Sequence, residues 1–312
     1  MTGVVKKGER GSAASPISRS WRPSWFRGDT AIAFIVLLPS IIAVAIFIYG
    51  FILWTGYIST VKWNTVVEDY TFVGLQNWIQ LFQMDRFHWN LRNLTIYAVG
   101  FISQCIIFGF FIAILLDQKI KGEALFRTIV IFPFAVSGIV TGVAWRWLMQ
   151  PTTGINLLFQ NLGFENFYFA WNADPRWGMG AITIAAAWQF TGYIMALYLA
   201  GLRGIDMEVR EAARVDGATT FQLYRHIIVP LLMPVTFTAI VLTGMGSIRV
   251  FDLVTILAGP AFTTDTLAFH MYQSTFGLYR FSLGAAVGFF MIFLSLFLVI
   301  PYLRSMRGEV ER

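Results

Sequence analysis

The most informative polar stretch in this sequence is Glu211-Ala212-Ala213-Arg214-Val215-Asp216-Gly217, followed after nine intervening residues by Ile227-Ile228-Val229-Pro230. Carboxylates, a guanidinium and small residues at this spacing suit docking, because they offer a charged face that another surface can approach closely. Met207, Glu211 and Arg214 lie four and three apart, so on a helix they share one face. Asp206 is placed to cap that helix, and Gly217 has the backbone freedom to end it. Thr219 or Thr220 can cap a second helix, whose Phe221, Leu223, Tyr224 and Ile227 lead to Pro230. The expectation is a hairpin over 203–230, joined stiffly to the apolar run that follows. A solvated loop with helical propensity is the plainer alternative, and spacing alone does not choose between them. Nothing else in the chain reads as an active site. No carboxylate or His pair suggests another active site, and the phosphate-cradling pattern GxxxxGK[ST] is absent.

The elements that must position this segment are apolar. Hydrophobic residues make up 57% of the chain and charged residues 13%, against roughly 45–50% and about 25% in soluble domains. Charge-free runs cover 30–61, 93–116, 128–145, 177–202, 227–248 and 281–303. Each is as long as a membrane-crossing helix, which takes ~17–25 apolar residues. Helices and closed barrels alone satisfy their backbone in lipid, and the runs lack the period-two alternation of a barrel. The expected fold class is an all-α membrane protein with six transmembrane helices. The first run is too long for the ~7–15-residue core of a cleaved signal peptide, so it is read as retained.

Lys and Arg counts orient the chain. Sixteen of 23 fall in the N-terminal tail, in the loops after the second and fourth runs, and in the C-terminal tail. Both termini, and the Glu211 segment with them, are therefore expected in the cytosol. The net charge of +6 is accounted for by this asymmetry and requires no nucleic acid. The lone Cys105 lies within a run and reads as a small hydrophobe.

Residues 1–29 are expected to form a disordered tail with Trp21, Trp25 and Phe26 near the membrane, and 30–312 a single transmembrane domain. The aromatic stretch 62–92 predicts a short interfacial helix, and 150–176 a set of turns around a short apolar helix. Within the runs, polar groups concentrate in two places. The fourth carries Trp188, Gln189, Thr191 and Tyr193, with Gln189 and Tyr193 on one face. The fifth carries Thr243, Gly244, Gly246 and Ser247 ahead of Arg249 and Asp252. Arg249 and Asp252, three apart, are expected to pair with each other or with a neighbour. His88 and His270 read as isolated and outward-facing, and Arg146 as a snorkelling residue.

Glu-Ala-Ala, three residues, Gly, nine residues, Ile, one residue, an aliphatic and Pro resembles the coupling motif of binding-protein-dependent ABC importer permeases, with Val229 where Leu is usual. Further stretches resemble the sugar-uptake branch in its maltose- and glycerol-phosphate-type first subunit. They are Phe72-Val73-Gly74-Leu75-Gln76-Asn77-Trp78, Trp145-Arg146-Trp147, Gly154-Ile155-Asn156, Gly201-Leu202-Arg203-Gly204-Ile205, Phe251-Asp252-Leu253, Gly259-Pro260 and Thr266-Leu267. The resemblance implies a type I ABC importer permease fold in a prokaryotic inner membrane. It implies four kinds of partner: a second, homologous but different permease chain, two ATP-binding subunits, an extracytoplasmic solute-binding protein and a sugar. ATP and Mg would be bound by the partner subunits, with no cofactor in this chain. Glu211, Ala212, Ala213, Asp216 and Gly217 would couple to the ATPase. The solute path would run past Gln189, Phe190, Tyr193, Thr243, Gly246, Ser247 and Val250. The same small and aromatic residues also suit helix packing and interface anchoring.

Two other classes make different demands on the sequence. A membrane enzyme needs Asp, Glu, His or Cys clustered at one interface, and the cytosolic acids are confined to the hairpin. An importer for a sugar phosphate or another charged solute needs a cation along the path, a role open to Arg249 or Arg146.

Overall fold

The computed structural model describes residues 28–118, 120–171, 174, 176–257 and 262–310, with side chains placed between 33 and 304. The tail aromatics and Gly259-Pro260 lie outside the described residues. The chain divides into a unit ending at Phe51 and a unit Ile52–Arg312. In the first, α1 (Gly28–Val44) passes into a wide π-helical turn at Ala45–Gly50.

From its start at the unit boundary, α2 (Phe51–Ile58) leads to a loop pinned by an isolated bridge between Val61 and Phe72. There follow α3 (Gln76–Gln83), α4 (Asp85–Asp117), α5 (Glu123–Ala135), α6 (Gly138–Leu148), α7 (Gly154–Asn161) and α8 (Gly178–Arg203). The hairpin comprises α9 (Met207–Val215), α10 (Thr220–Leu223), a π turn at Tyr224–Ile228 and α11 (Val229–Leu231). The remainder is α12 (Met233–Arg249), α13 (Asp252–Leu257), α14 (Leu267–Tyr272), a π turn at Gln273–Gly277 and α15 (Phe281–Val310).

Among the described residues, four helices are long and apolar enough to cross a bilayer: Ala33–Ile58, Asp85–Asp117, Gly178–Arg203 and Phe281–Arg304. The other two expected spans are broken. Glu123–Ala135 and Gly138–Leu148 meet at 99°, and Thr220–Leu231 and Met233–Arg249 at 64°. Six crossings result if each bent pair counts as one. The stiff join between hairpin and fifth span is corrected accordingly, since a bend separates α11 from α12.

The core of the second unit is the pair α4 and α8, running side by side in the same direction. Cys105, Ala113, Ile182, Ile194, Met195 and Leu202 are buried there, and Gln104 Nε2 donates to Thr183 Oγ1 at 2.8 Å. The face of α8 turned to α5 is held by Gly192, where an added Cβ would lie 2.0 Å from the Val130 carbonyl oxygen. Backbone cannot swing aside as a side chain can. Gly192→Ala is therefore expected to cost about 1–3 kcal/mol, the usual penalty for overpacking. Gly180 on the same helix has nothing within 4 Å of its Cβ position. Gly180→Ala should gain roughly 0.5–1 kcal/mol from reduced backbone entropy. Thermal unfolding of both variants in detergent should show shifts of opposite sign.

Candidate solute path and coupling hairpin

Two interruptions, the bend between α5 and α6 and the gap after α12, come together on one side of α8. The first falls at Val136-Ser137, where Ser137 caps α6 by accepting from the Val140 amide. The second lies between Arg249, the last residue of α12, and Asp252, the first of α13. A Cβ on Gly138 would sit 3.2 Å from that of Asp252, and one on Gly142 would sit 2.8 Å from Ile256. Glycine thus lets α6 and α13 approach closely. Backbone freed by a helix break tolerates membrane depth only where it is buried or lines a cavity. Here it borders a cavity of about 230 Å³, walled by Tyr97, Phe101, Gln189, Phe190, Arg249 and Asp252 together with Gly138, Gly246 and Val250.

Gln189, Phe190, Gly246 and Val250, placed on the path from sequence, all face this cavity. Gln189 Nε2 donates to the Val136 carbonyl at 2.6 Å, so one amide arm satisfies the first break. Tyr193 stacks on Phe134 at 4.8 Å and meets Phe190 edge-on at 5.4 Å, one layer behind the wall. Thr243 and Ser247 are buried, and their hydroxyls donate to Ala239 and Thr243 carbonyls of their own helix. They stand behind the cavity rather than in its wall. The expected Arg249–Asp252 pairing is corrected. Both line the cavity, and the ion pairs among the described residues involve neither. Spacing of three pairs residues only along a continuous helix, and here the helix ends between them.

Tyr97 and Phe101 were missed from sequence. They stack at 5.5 Å, and Phe101 meets Phe190 at 5.6 Å. Their spacing of four on a span was the available signal. His270 is also corrected. It is buried at 1% exposure, with Nδ1 2.6 Å from Asn90 Oδ1, rather than isolated and outward-facing. His88 and Arg146 are exposed as expected, and Cys105 is buried.

At the opposite end lies the hairpin. Gly217 adopts φ +79°, the left-handed conformation that ends α9, and Thr219 with Gln222 forms a reciprocal capping box for α10. Asp206 occupies the N-cap of α9 without a side-chain bond. Glu211, Ala212 and Asp216 are exposed, while Ala213 is buried in the chain's own core. Met207 is 58%, Val215 86% and Phe221 69% exposed, so the hairpin shows apolar as well as charged surface. Two ion pairs unforeseen from sequence hold its base: Arg210–Asp117 at 2.6 Å and Arg203–Glu123 at 2.7 Å. Their partners lie 93 and 80 residues apart, beyond any local pattern.

Residues 105–307 match the family of binding-protein-dependent transport system inner membrane components. A probable ABC transporter permease protein of Pyrococcus horikoshii is 40% identical over 90% of this chain and 98% of its own length. The xylose/arabinose import permease protein XacH of Haloferax volcanii is 33% identical over 84% of each. A chain of a bacterial alginate ABC transporter, solved in complex with an alginate pentasaccharide-bound periplasmic protein, has the same fold. It gives a TM-score of 0.75 at 21% identity, covering 88% of this chain and 93% of that one. With broken spans, a capped hairpin and this relationship in agreement, the chain belongs to the binding-protein-dependent transport system inner membrane components, as a multi-pass ABC transporter permease and not an enzyme.

Proposed function

We propose that this permease carries a neutral sugar across the prokaryotic inner membrane, driven by ATP that separate subunits hydrolyse. The observation that carries the reading is the make-up of the cavity at the two breaks. Aromatic faces (Tyr97, Phe101, Phe190) suit the C–H surfaces of a sugar ring, and Gln189, Arg249 and Asp252 suit its hydroxyls. XacH, a third identical, is named for xylose and arabinose import. At about 230 Å³ the cavity is smaller than the ~300–1,000 Å³ of complete ligand sites. It fits one half of a path whose other half belongs to a second, homologous permease. Gln189, Phe190, Gly246 and Val250 touch the solute in this reading, while Tyr193, Thr243 and Ser247 hold the wall from behind.

An extracytoplasmic binding protein delivers the sugar. Two ATP-binding subunits hold ATP and Mg on the cytosolic side, where the Lys and Arg asymmetry puts the hairpin. Glu211, Ala212, Asp216 and the turn at Gly217 form the docking edge, with Ala213 packing that edge onto the permease. Closure of the ATPases tilts the transmembrane halves between inward- and outward-open states by rigid-body motion. Residues 30–312 are the membrane domain in this reading.

Arg249 in the wall favours a second reading, a sugar phosphate. Asp252 in the same wall opposes it, because a carboxylate repels a phosphate dianion. Uptake by cells carrying the whole importer decides between them. Labelled neutral sugars should enter, with competition from other sugars and none from amino acids. Gln189→Ala should lower that uptake by about tenfold, the ~1.4 kcal/mol of one hydrogen bond to solute. Uptake confined to phosphorylated sugars, or to amino acids, would overturn the proposal.

A further inference from the structure

Arg210 is the seventh residue before Gly217 and shares α9 with the proposed docking residues, yet it turns inward. Its side chain is 16% exposed and that of its partner Asp117 is 8% exposed. Nη1 donates to Asp117 Oδ2 at 2.6 Å, and Nη2 donates to the Leu202 carbonyl at 2.7 Å. Asp117 is the last residue of α4, and Leu202 lies in the last turn of α8. A helix C-terminus carries partial negative charge and carbonyls without partners. A carboxylate there adds to the repulsion unless a cation answers it. One guanidinium answers both ends at once and so ties three helices at one point.

The covalent route from the hairpin offers no comparable stiffness. It passes through a π turn, a three-residue helix and a 64° bend before reaching α12. The other strut, Arg203–Glu123, joins α8 to α5, with side chains 40% and 21% exposed, and a solvated pair of that kind holds weakly. The α4–α8 pair, by contrast, is the most extensive helix interface among the described residues. Glycine lets it close tightly, since a Cβ on Gly109 would lie 2.9 Å from Ile194.

We infer that Arg210 is the positioning residue that turns a push on α9 into motion of the α4–α8 pair, ahead of the chain's own connection to α12. The inference rests on the reading that α9 receives that push. Arginine is required because its planar fork presents two donors in fixed directions, whereas a single ammonium is a point charge.

The test uses the purified importer with all its subunits, reconstituted in liposomes. Three quantities are read: ATPase subunits retained on purification, ATP hydrolysed, and sugar taken up per ATP. Arg210→Ala should retain the ATPase subunits and continue hydrolysis, while uptake per ATP falls at least about fivefold, the low end of ordinary coupling between sites. Arg210→Lys should fall between the two. The exchange Arg210→Asp with Asp117→Arg should restore part of the loss, since it remakes the ion pair without the bond to Leu202. Should Arg210→Ala fail to accumulate, Asp117→Asn keeps the volume and is read by the same ratio.

Unchanged uptake per ATP in Arg210→Ala would overturn the inference. So would loss of the ATPase subunits from that variant, because Arg210 would then belong to the docking edge. Glu211→Lys separates the two claims, as it should shed the ATPase while leaving Arg210 paired. A Glu211→Lys importer that behaves normally refutes the docking edge and leaves the Arg210 ratio to be judged by itself.

Discussion

Glu211→Lys is expected to leave the permease folded and inserted while stopping solute uptake. Glu211 is exposed, and its side chain is in none of the ion pairs among the described residues. Substitutions at such positions usually change stability by no more than about 0.5 kcal/mol. A large effect must therefore arise on a partner. Removing one member of a desolvated charge pair at an interface costs about 2–5 kcal/mol, or roughly 30- to several-thousandfold in binding. Reversing the charge adds repulsion. Gly217→Pro should match the functional loss by another route, because φ +79° lies far from the −65° that proline imposes. The comparison to make is uptake and ATP hydrolysis by the reconstituted importer against thermal unfolding of the permease. Uptake within twofold of the parent in Glu211→Lys would remove the docking claim.

The hairpin was the most legible part of this chain because its determinants are local. Gly217 ends one helix and Thr219 caps the next within three residues, so the helix ends follow from local residue types. The apolar runs were legible for a similar reason, as hydropathy is summed along the chain. Their bends were not. A run such as 128–145 has the same hydropathy straight or folded by 99°. The bend sets Gly138 and Gly142 against α13, a tertiary contact that hydropathy does not report. The same reason hid the cavity. Gln189 was legible as a polar residue in a span, but its amide is committed to Val136, 53 residues away. Arg249 and Asp252 misled because the i, i+3 rule assumes an unbroken helix. Arg210 was overlooked because a helix within a charged segment reads as solvated until its partner at residue 117 is known.

The buried polar cluster at the N-terminal end of α4 carries the second large effect. Arg86 Nε lies 2.6 Å from Asp265 Oδ2, with side chains 15% and 3% exposed, and its guanidinium sits over the Phe262 ring at 5.4 Å. Asn93 Nδ2 donates to the carbonyls of Phe262 and Asp265. Thr266 Oγ1 donates to the Val250 carbonyl at 3.3 Å, which links the cluster to the cavity wall. Asp265→Ala strands Arg86 in this setting, and breaking a buried pair from one side costs about 3–5 kcal/mol. The double variant Arg86→Met with Asp265→Leu should recover most of that loss, because neither charge then stays buried. His270 adds a pH dependence of known sign. Burial first, and Arg86 second, push its ring down to about 3 from the usual 6.5. Above pH 6.5 the ring is neutral in both folded and unfolded chains and contributes nothing. Between 6.5 and 3 only the unfolded chain takes up the proton, so stability falls as pH falls, at up to about 1.4 kcal/mol per pH unit. Thermal unfolding from pH 7 to 4.5 should show this slope in the parent protein and a shallower one in His270→Gln. Equal slopes in the two would show that the ring titrates freely and that the cluster is open to water.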